Sequence, residues 1–177
     1  PGERPILYDA FDEDRGGLLH RALDITGAEG SYVVATNDGV VPPTVVVNGE
    51  RHPGSGTSEK GGNYVFIREP SGFTQYYAHM QYTPKVSPGQ SVSAGQVIGL
   101  LGRTGNAAGG CPHLHFAVTN PAGQKINPTE YLRPLYNAQG WKRSLPWGWL
   151  AVGGFVALGG YMLLRNSKAL ASVRLSR

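Results

Sequence analysis

From Ser31 onward the chain runs in short apolar stretches, each cut by glycine or proline before a helix could propagate. With 26 glycines and 13 prolines in 177 residues, short strands joined by tight turns are the favoured solution. Tyr32-Val33-Val34-Ala35 leads into Thr36-Asn37-Asp38-Gly39, a strand followed by a turn sequence. Thr44 to Val47 is β-branched and ends at Asn48-Gly49, again strand and turn. Asn63 to Arg68 and Phe73 to His79 read as paired strands joined by Glu69-Pro70-Ser71-Gly72. Between Val86 and Leu100, Gly89-Gln90 and Gly95-Gln96 each lead into apolar residues, marking short strands between glycine turns. No stretch before Trp141 carries a long helical period with caps. The expectation is a mostly β domain, an antiparallel sheet with functional loops, over residues 18–140. A charged lead-in without a period precedes it at 1–17.

The character changes at Leu145. Residues 145–164 read LPWGWLAVGGFVALGGYMLL, without a charge. A helix of that length spans roughly 30 Å, the thickness of a bilayer's hydrocarbon core. Trp147 and Trp149 at one end and Tyr161 near the other stand where interfacial aromatics belong. The expectation is a single C-terminal transmembrane helix in the lipid bilayer, followed by a basic tail at 165–177. Gly153 and Ala157 form a small-xxx-small pair through which membrane protein partners could approach closely. The positive-inside tendency puts the tail in the cytoplasm and the β domain on the periplasmic or extracellular side.

The net charge of +4 does not describe the domain. All 12 acidic residues precede Ser144, while four of the 16 basic ones, Arg165, Lys168, Arg174 and Arg177, follow the apolar run. The excess therefore lies wholly in the tail. A nucleic-acid groove needs surplus basic side chains on the folded surface, and this domain offers none.

The chemistry-bearing residues are histidines. His20 and Asp24 stand four apart in HRALD. His113 and His115 stand two apart in PHLHF, a spacing that sets both on one face of a strand. His79 closes the run Tyr76-Tyr77-Ala78. Zinc accepts imidazole nitrogen and carboxylate oxygen, and catalytic sites use three protein ligands with a fourth position left to water. A hydrolase also needs a proton acceptor and a donor to the oxyanion, and an imidazole serves either purpose. Four histidines and one aspartate therefore suffice for two imidazole ligands, one carboxylate ligand and two helpers.

These motifs together resemble the lysostaphin-like or LytM-like zinc endopeptidases, the M23 family. His20-Arg-Ala-Leu-Asp24 is similar to its His-x-Gly-x-Asp element, and Tyr77-Ala78-His79 to its Tyr-x-His element. Cys111-Pro112-His113-Leu114-His115-Phe116 resembles its Gly-Pro-His-Leu-His-Phe element. Gly89, Val92, Gly95, Gln96, Ile98 and Gly99 fall in register with its glycine-punctuated stretch, and Arg103-Thr104-Gly105-Asn106 with its approach to the last motif. The resemblance covers about residues 18 to 131. It implies that His20, Asp24 and His115 bind Zn2+, that His79 and His113 flank the site, and that the substrate is a peptidoglycan peptide. It also implies a β-sheet domain with a narrow groove across the sheet.

Three positions depart from the pattern. Ala22 stands for glycine and adds a methyl beside two expected ligands. Ala117 stands for the usual Glu, and Ala107-Ala108-Gly109-Gly110 lengthens the loop before Cys111. Cys111, the single cysteine, reads as a small buried packing residue, with a soft metal ligand as the alternative. His52 reads as solvated or at a groove rim, and Asp12-Glu13-Asp14 as a solvated acidic patch. Tyr76 and Tyr77 should face opposite sides of their strand, so one at most reaches the site. The expected function is a membrane-tethered zinc endopeptidase acting on bacterial peptidoglycan. The alternative is a non-catalytic binding or scaffold subunit of a cell-envelope membrane complex.

Overall fold

The computed structural model describes residues 7–47 and 49–138. The span expected at 145–164 and the basic tail lie outside the described residues. Among those described, no helix is long and apolar enough to cross a membrane.

The strands follow the turn signals. They are β1 (Leu7–Asp9), β2 (Leu23–Thr26), β3 (Tyr32–Val34), β4 (Gly39–Val40), β5 (Thr44–Val47), β6 (Glu50–Pro53) and β7 (Ser55–Ser58). Then come β8 (Gly62–Arg68), β9 (Thr74–Met80), β10 (Ser91–Val92), β11 (Val97–Leu100), β12 (His113–Thr119) and β13 (Lys125–Ile126). The main sheet runs β1-β2-β12-β9-β8-β4-β10, with β13 on β12 and β7 on β8. β3 pairs with β11 and β5 with β6 in two small sheets, and all these pairings are antiparallel. The chain is thus a mostly β protein of antiparallel type. Leu7–Asp9, within the stretch read from sequence as a lead-in, extends this sheet by pairing with β2.

Period-2 alternation sorts the two faces of the sheet. Leu23, Ile25, Val65, Ile67, Tyr77, Leu114, Phe116 and Val118 turn to one side and form the main core. Burying each such side chain contributes about 1.5–3 kcal/mol. Tyr64, Phe66 and Ala78 turn to the other side with Val45, against the partly buried Tyr76. Tyr76 and Tyr77 therefore face opposite ways, as alternation requires.

One helix departs from the sequence expectation. α1 (Pro128–Ala138) forms where no capped helical period was read, and its Leu132 joins the core. Its start is nevertheless regular: Asn127 Oδ1 accepts the Thr129 N–H at 2.8 Å, with Pro128 in the first helical position. Tyr131 then fastens the helix to the core side of the sheet. Its hydroxyl accepts from Gln75 Nε2 at 2.8 Å and from Asn37 Nδ2 at 2.6 Å, and donates to Glu69. Gln75 is fully buried, and the Tyr77 hydroxyl and Glu69 meet its remaining needs.

The register of β8 on β9 slips once. Val65 faces Tyr77 but Asn63 faces Met80, so Ala78 and His79 together occupy the place opposite Tyr64. His79 takes φ +64 there, one of two non-glycine residues with positive φ among those described. The extra residue re-aims the strand. Tyr77 and Met80 both face the main core, while Ala78 and His79 are left to the opposite side.

Candidate active site

Antiparallel pairing assembles the site. His115 of β12 lies directly between Asp24 of β2 and Ala78 of β9, and cross-strand partners share a face. His20 arrives on the segment leading into β2. Its N–H donates to the Glu13 carbonyl at 2.8 Å, and the Arg21 N–H donates to Phe11 at 2.9 Å. Arg21 takes φ 54, so the left-handed residue of this motif is Arg21 rather than Ala22. Ala22 is fully buried, and its methyl is part of the packing.

The result is a tight triangle of donor atoms. His20 Nε2 and His115 Nδ1 are 3.0 Å apart, and Asp24 Oδ1 stands 3.1 Å from the latter and 3.2 Å from the former. Ligands about 2.0–2.2 Å from one tetrahedral zinc would lie about 3.3–3.6 Å apart, so opening by a few tenths of an ångström suffices. Two imidazole nitrogens and a carboxylate oxygen are also the donor types that zinc takes. Among the described residues this is the one group of three or more such side chains within metal-binding reach.

Protonation suits the same role. Burial would raise the Asp24 carboxyl, but hydrogen bonds from His115 and Arg15 hold it well below the usual carboxylate range. Burial lowers His20, against the pull of Asp24, so its ring is neutral near pH 7. His20 Nδ1 is buried without a partner at hydrogen-bonding geometry, although the Ala10 carbonyl nearby favours a proton there.

His79 and His113 stand beside this triangle. Their ring centroids are 4.8 Å apart, and His79 lies 5.7 Å from His115. His79 Nδ1 is 2.8 Å from the Thr104 carbonyl and His113 Nδ1 is 2.9 Å from the Cys111 carbonyl. A carbonyl only accepts, so both Nδ1 atoms carry the hydrogen, and either ring in its neutral form presents a bare Nε2. Burial pushes His79 down to about 4, with the Thr104 carbonyl opposing, so it is neutral across the physiological range. The Thr104 carbonyl is itself fixed. Thr104 Oγ1 donates to Met80 at 2.8 Å and accepts from the Asn63 N–H at 2.9 Å. The crossing of Gly62 and Gly105 permits this approach: a Cβ on Gly105 would fall 2.2 Å from the Gly62 nitrogen, and both have positive φ.

All five residues expected from the sequence thus meet in one place. Tyr76 joins them, its ring edge-on to His115 at 6.1 Å and packed on Tyr64 and Phe66. His52 stays apart on the β5–β6 hairpin, half-exposed, with Glu50 at 3.9 Å. Cys111 corrects the expectation of a buried packing residue: it is exposed, and it contributes to the site through its carbonyl. Nor is it in the group of side chains within metal-binding reach. The acidic stretch is exposed but organised, with Asp12 on Arg21 at 2.7 Å and Glu13 on Arg15 at 2.8 Å. Arg15, which sequence reasoning passed over, continues from Glu13 to Asp24 Oδ2 at 3.0 Å. Its position five residues before His20, directly after the acidic run Asp12-Glu13-Asp14, is the one signal that marks it.

Comparison with known proteins agrees with this geometry. A family model described as Peptidase family M23 matches residues 18–128. The peptidoglycan DD-endopeptidase ShyC of Vibrio cholerae is 36% identical over 97 residues, which cover 55% of this chain and 19% of that protein. The murein hydrolase activator NlpD of Escherichia coli is 32% identical over 132 residues, covering 75% of this chain and 30% of that one. The chain therefore spans less than a third of either relative's length. In structure, the catalytic domain of the antimicrobial peptidase lysostaphin from Staphylococcus simulans superposes with a TM-score of 0.56 at 27% identity, over 75% of this chain and 92% of that domain. Since the family model spans well over half of the sequence and the lysostaphin-like fold is present, the chain belongs to peptidase family M23.

Proposed function

We propose that this protein is a zinc-dependent endopeptidase that hydrolyses peptide bonds of bacterial peptidoglycan, tethered to the membrane by residues 145–164. The observation that carries the reading is a three-atom ligand triangle with two further imidazoles beside it, each with Nδ1 spent on a carbonyl. His20, Asp24 and His115 are the ligands in this reading. Zinc, when bound, acts as a Lewis acid on the scissile carbonyl and makes water acidic enough to attack near neutral pH.

The remaining chemistry falls to the chain. A neutral His79 or His113 offers only a lone pair at Nε2, so it accepts the proton that the attacking water gives up. The imidazole that takes this proton returns it from Nε2 to the leaving amine, while the other, having taken a proton at Nε2 from solvent beforehand, donates that N–H to the oxyanion. The Thr104 and Cys111 carbonyls hold both rings in orientation throughout. Zinc-loaded protein should release soluble peptide fragments from purified sacculi, and chelation should stop the release until zinc is restored. Sacculi left intact under all metal conditions would sink the reading.

A second reading has one specific support. A relative of 32% identity is named a murein hydrolase activator rather than a hydrolase. Retention of every ligand and both helpers favours catalysis here, since an activator needs none of them. The tether rests on the uncharged apolar run and its flanking aromatics. Full-length protein should resist alkaline carbonate extraction from membranes, and a chain ending at residue 140 should be released. Equal release of both would remove the membrane anchor from the proposal.

A further inference from the structure

The loop before His20 carries a residue that no ligand motif includes. Phe11 to Leu19 folds back on itself: Asp14 bridges to Leu19, the Arg15 N–H donates to Leu18 at 2.8 Å, and the Gly17 N–H donates to Asp14 Oδ1 at 2.6 Å. One arm of this excursion holds Arg15, and the other delivers His20, whose N–H is bonded to Glu13. Arg15 and the ligand histidine are therefore set by the same piece of backbone.

From that position the guanidinium divides its fork between two carboxylates. Nε meets Glu13 Oε2 at 2.8 Å, and Nη2 meets Asp24 Oδ2 at 3.0 Å. Asp24 has two oxygens with different partners. Oδ1 faces both histidine nitrogens, while Oδ2 is held by Arg15. We propose that Arg15 is a positioning residue for the metal centre, fixing Asp24 so that Oδ1 alone is presented to the ion. This rests on the zinc reading of the site.

Two opposing effects decide the sign. An arginine near a divalent cation repels it, which weakens binding. Holding a ligand carboxylate in its bound orientation removes an ordering cost, which strengthens binding. Here Glu13 neutralises the far side of the guanidinium, giving an alternation of Glu13, Arg15, Asp24 and then the cation site. The repulsion is thereby reduced and orientation prevails. Arg15 is also about half exposed, with 45% of its side chain accessible, so its loss leaves little unfilled volume.

The test is zinc affinity, read by competition with a chromophoric chelator and independent of hydrolysis. Arg15→Met should bind zinc about 10- to 100-fold more weakly than wild type, the usual cost of losing a ligand's hydrogen-bond partner. Its metal-free form should still fold cooperatively, with an unfolding temperature only a few degrees below wild type, since one partly exposed hydrogen bond to Asp24 is lost. Arg15→Lys, which keeps one donor and the charge but not the fork, should recover part of the loss. With cobalt(II) in place of zinc, Arg15→Met should absorb more weakly in the visible, because the freed Oδ2 joins the coordination shell. An Arg15→Met protein that binds zinc as tightly as wild type overturns the proposal. So does one whose metal-free domain fails to fold, which would assign Arg15 to the scaffold. A wild-type protein that binds no zinc would instead remove the metal reading of the site.

Discussion

Replacing His79 by alanine should leave the metal bound and lower peptide hydrolysis by about 100- to 10,000-fold, the usual contribution of a positioned acid–base group. The metal should stay because the three ligand atoms belong to other residues, and His79 touches them only through ring contact with His115. Hydrolysis should fall because the bare Nε2 disappears. His79 is buried and held neutral, and its Nδ1–H is committed to Thr104. Water entering the vacated space would be a far weaker base. Backbone strain is a competing explanation, since the residue has φ +64. His79→Asn separates the two, because asparagine tolerates that conformation but supplies no base. Both variants should show the same loss of kcat/KM with unchanged zinc content. His113→Ala should lose a comparable factor, and the double variant little more, since groups that act in one step are not additive. A loss below tenfold in both single variants, with zinc retained, would show that neither imidazole takes part.

Much of this site was legible because β structure turns sequence spacing into shared faces. His113 and His115, two apart in an alternating run, had to fall on one face if β12 formed. The hairpin of β8 and β9 followed from Glu69-Pro70-Ser71-Gly72 between two apolar runs. Other features were beyond periodicity. His79 would face the core in a regular strand after Tyr77 and Ala78; only the slip of register against β8 sends it to the site, and that slip depends on a partner strand. The helix α1 was missed for a different reason. Its Asn127-Pro128-Thr129-Glu130 opening is a proper helix start, but Pro134 inside it breaks the expected period. Arg15 was hidden by its neighbours, for an arginine among acidic residues reads as surface charge until Asp24 is folded against it. Cys111 was misjudged because cysteine type favours burial, whereas its loop turns the thiol outward and uses the carbonyl.

Zinc should also stabilise the domain, and the effect should be large. A ligand that binds only the native state at 1,000 times its dissociation constant adds about 4 kcal/mol. For a chain of this size each kcal/mol is worth about 2–4 °C, so the unfolding midpoint should rise by roughly 8–16 °C over the chelated protein. Little of this should be lost to proton competition near pH 7. Asp24 is held ionised by His115 and Arg15, and His20 is held neutral by burial, so neither must shed a proton to bind. Acid should erode the effect from the histidine side first, since protonated imidazole cannot ligate and Asp24 titrates far lower. Asp24→Asn and His115→Ala should each abolish most of the shift. His52→Ala should keep all of it, because His52 stands apart on its own hairpin with Glu50. Scanning calorimetry with and without zinc reads all four proteins. A shift that survives in Asp24→Asn and His115→Ala but vanishes in His52→Ala would move the metal to the β5–β6 hairpin, leaving the triangle of His20, Asp24 and His115 as a hydrogen-bonded cluster without an ion to hold.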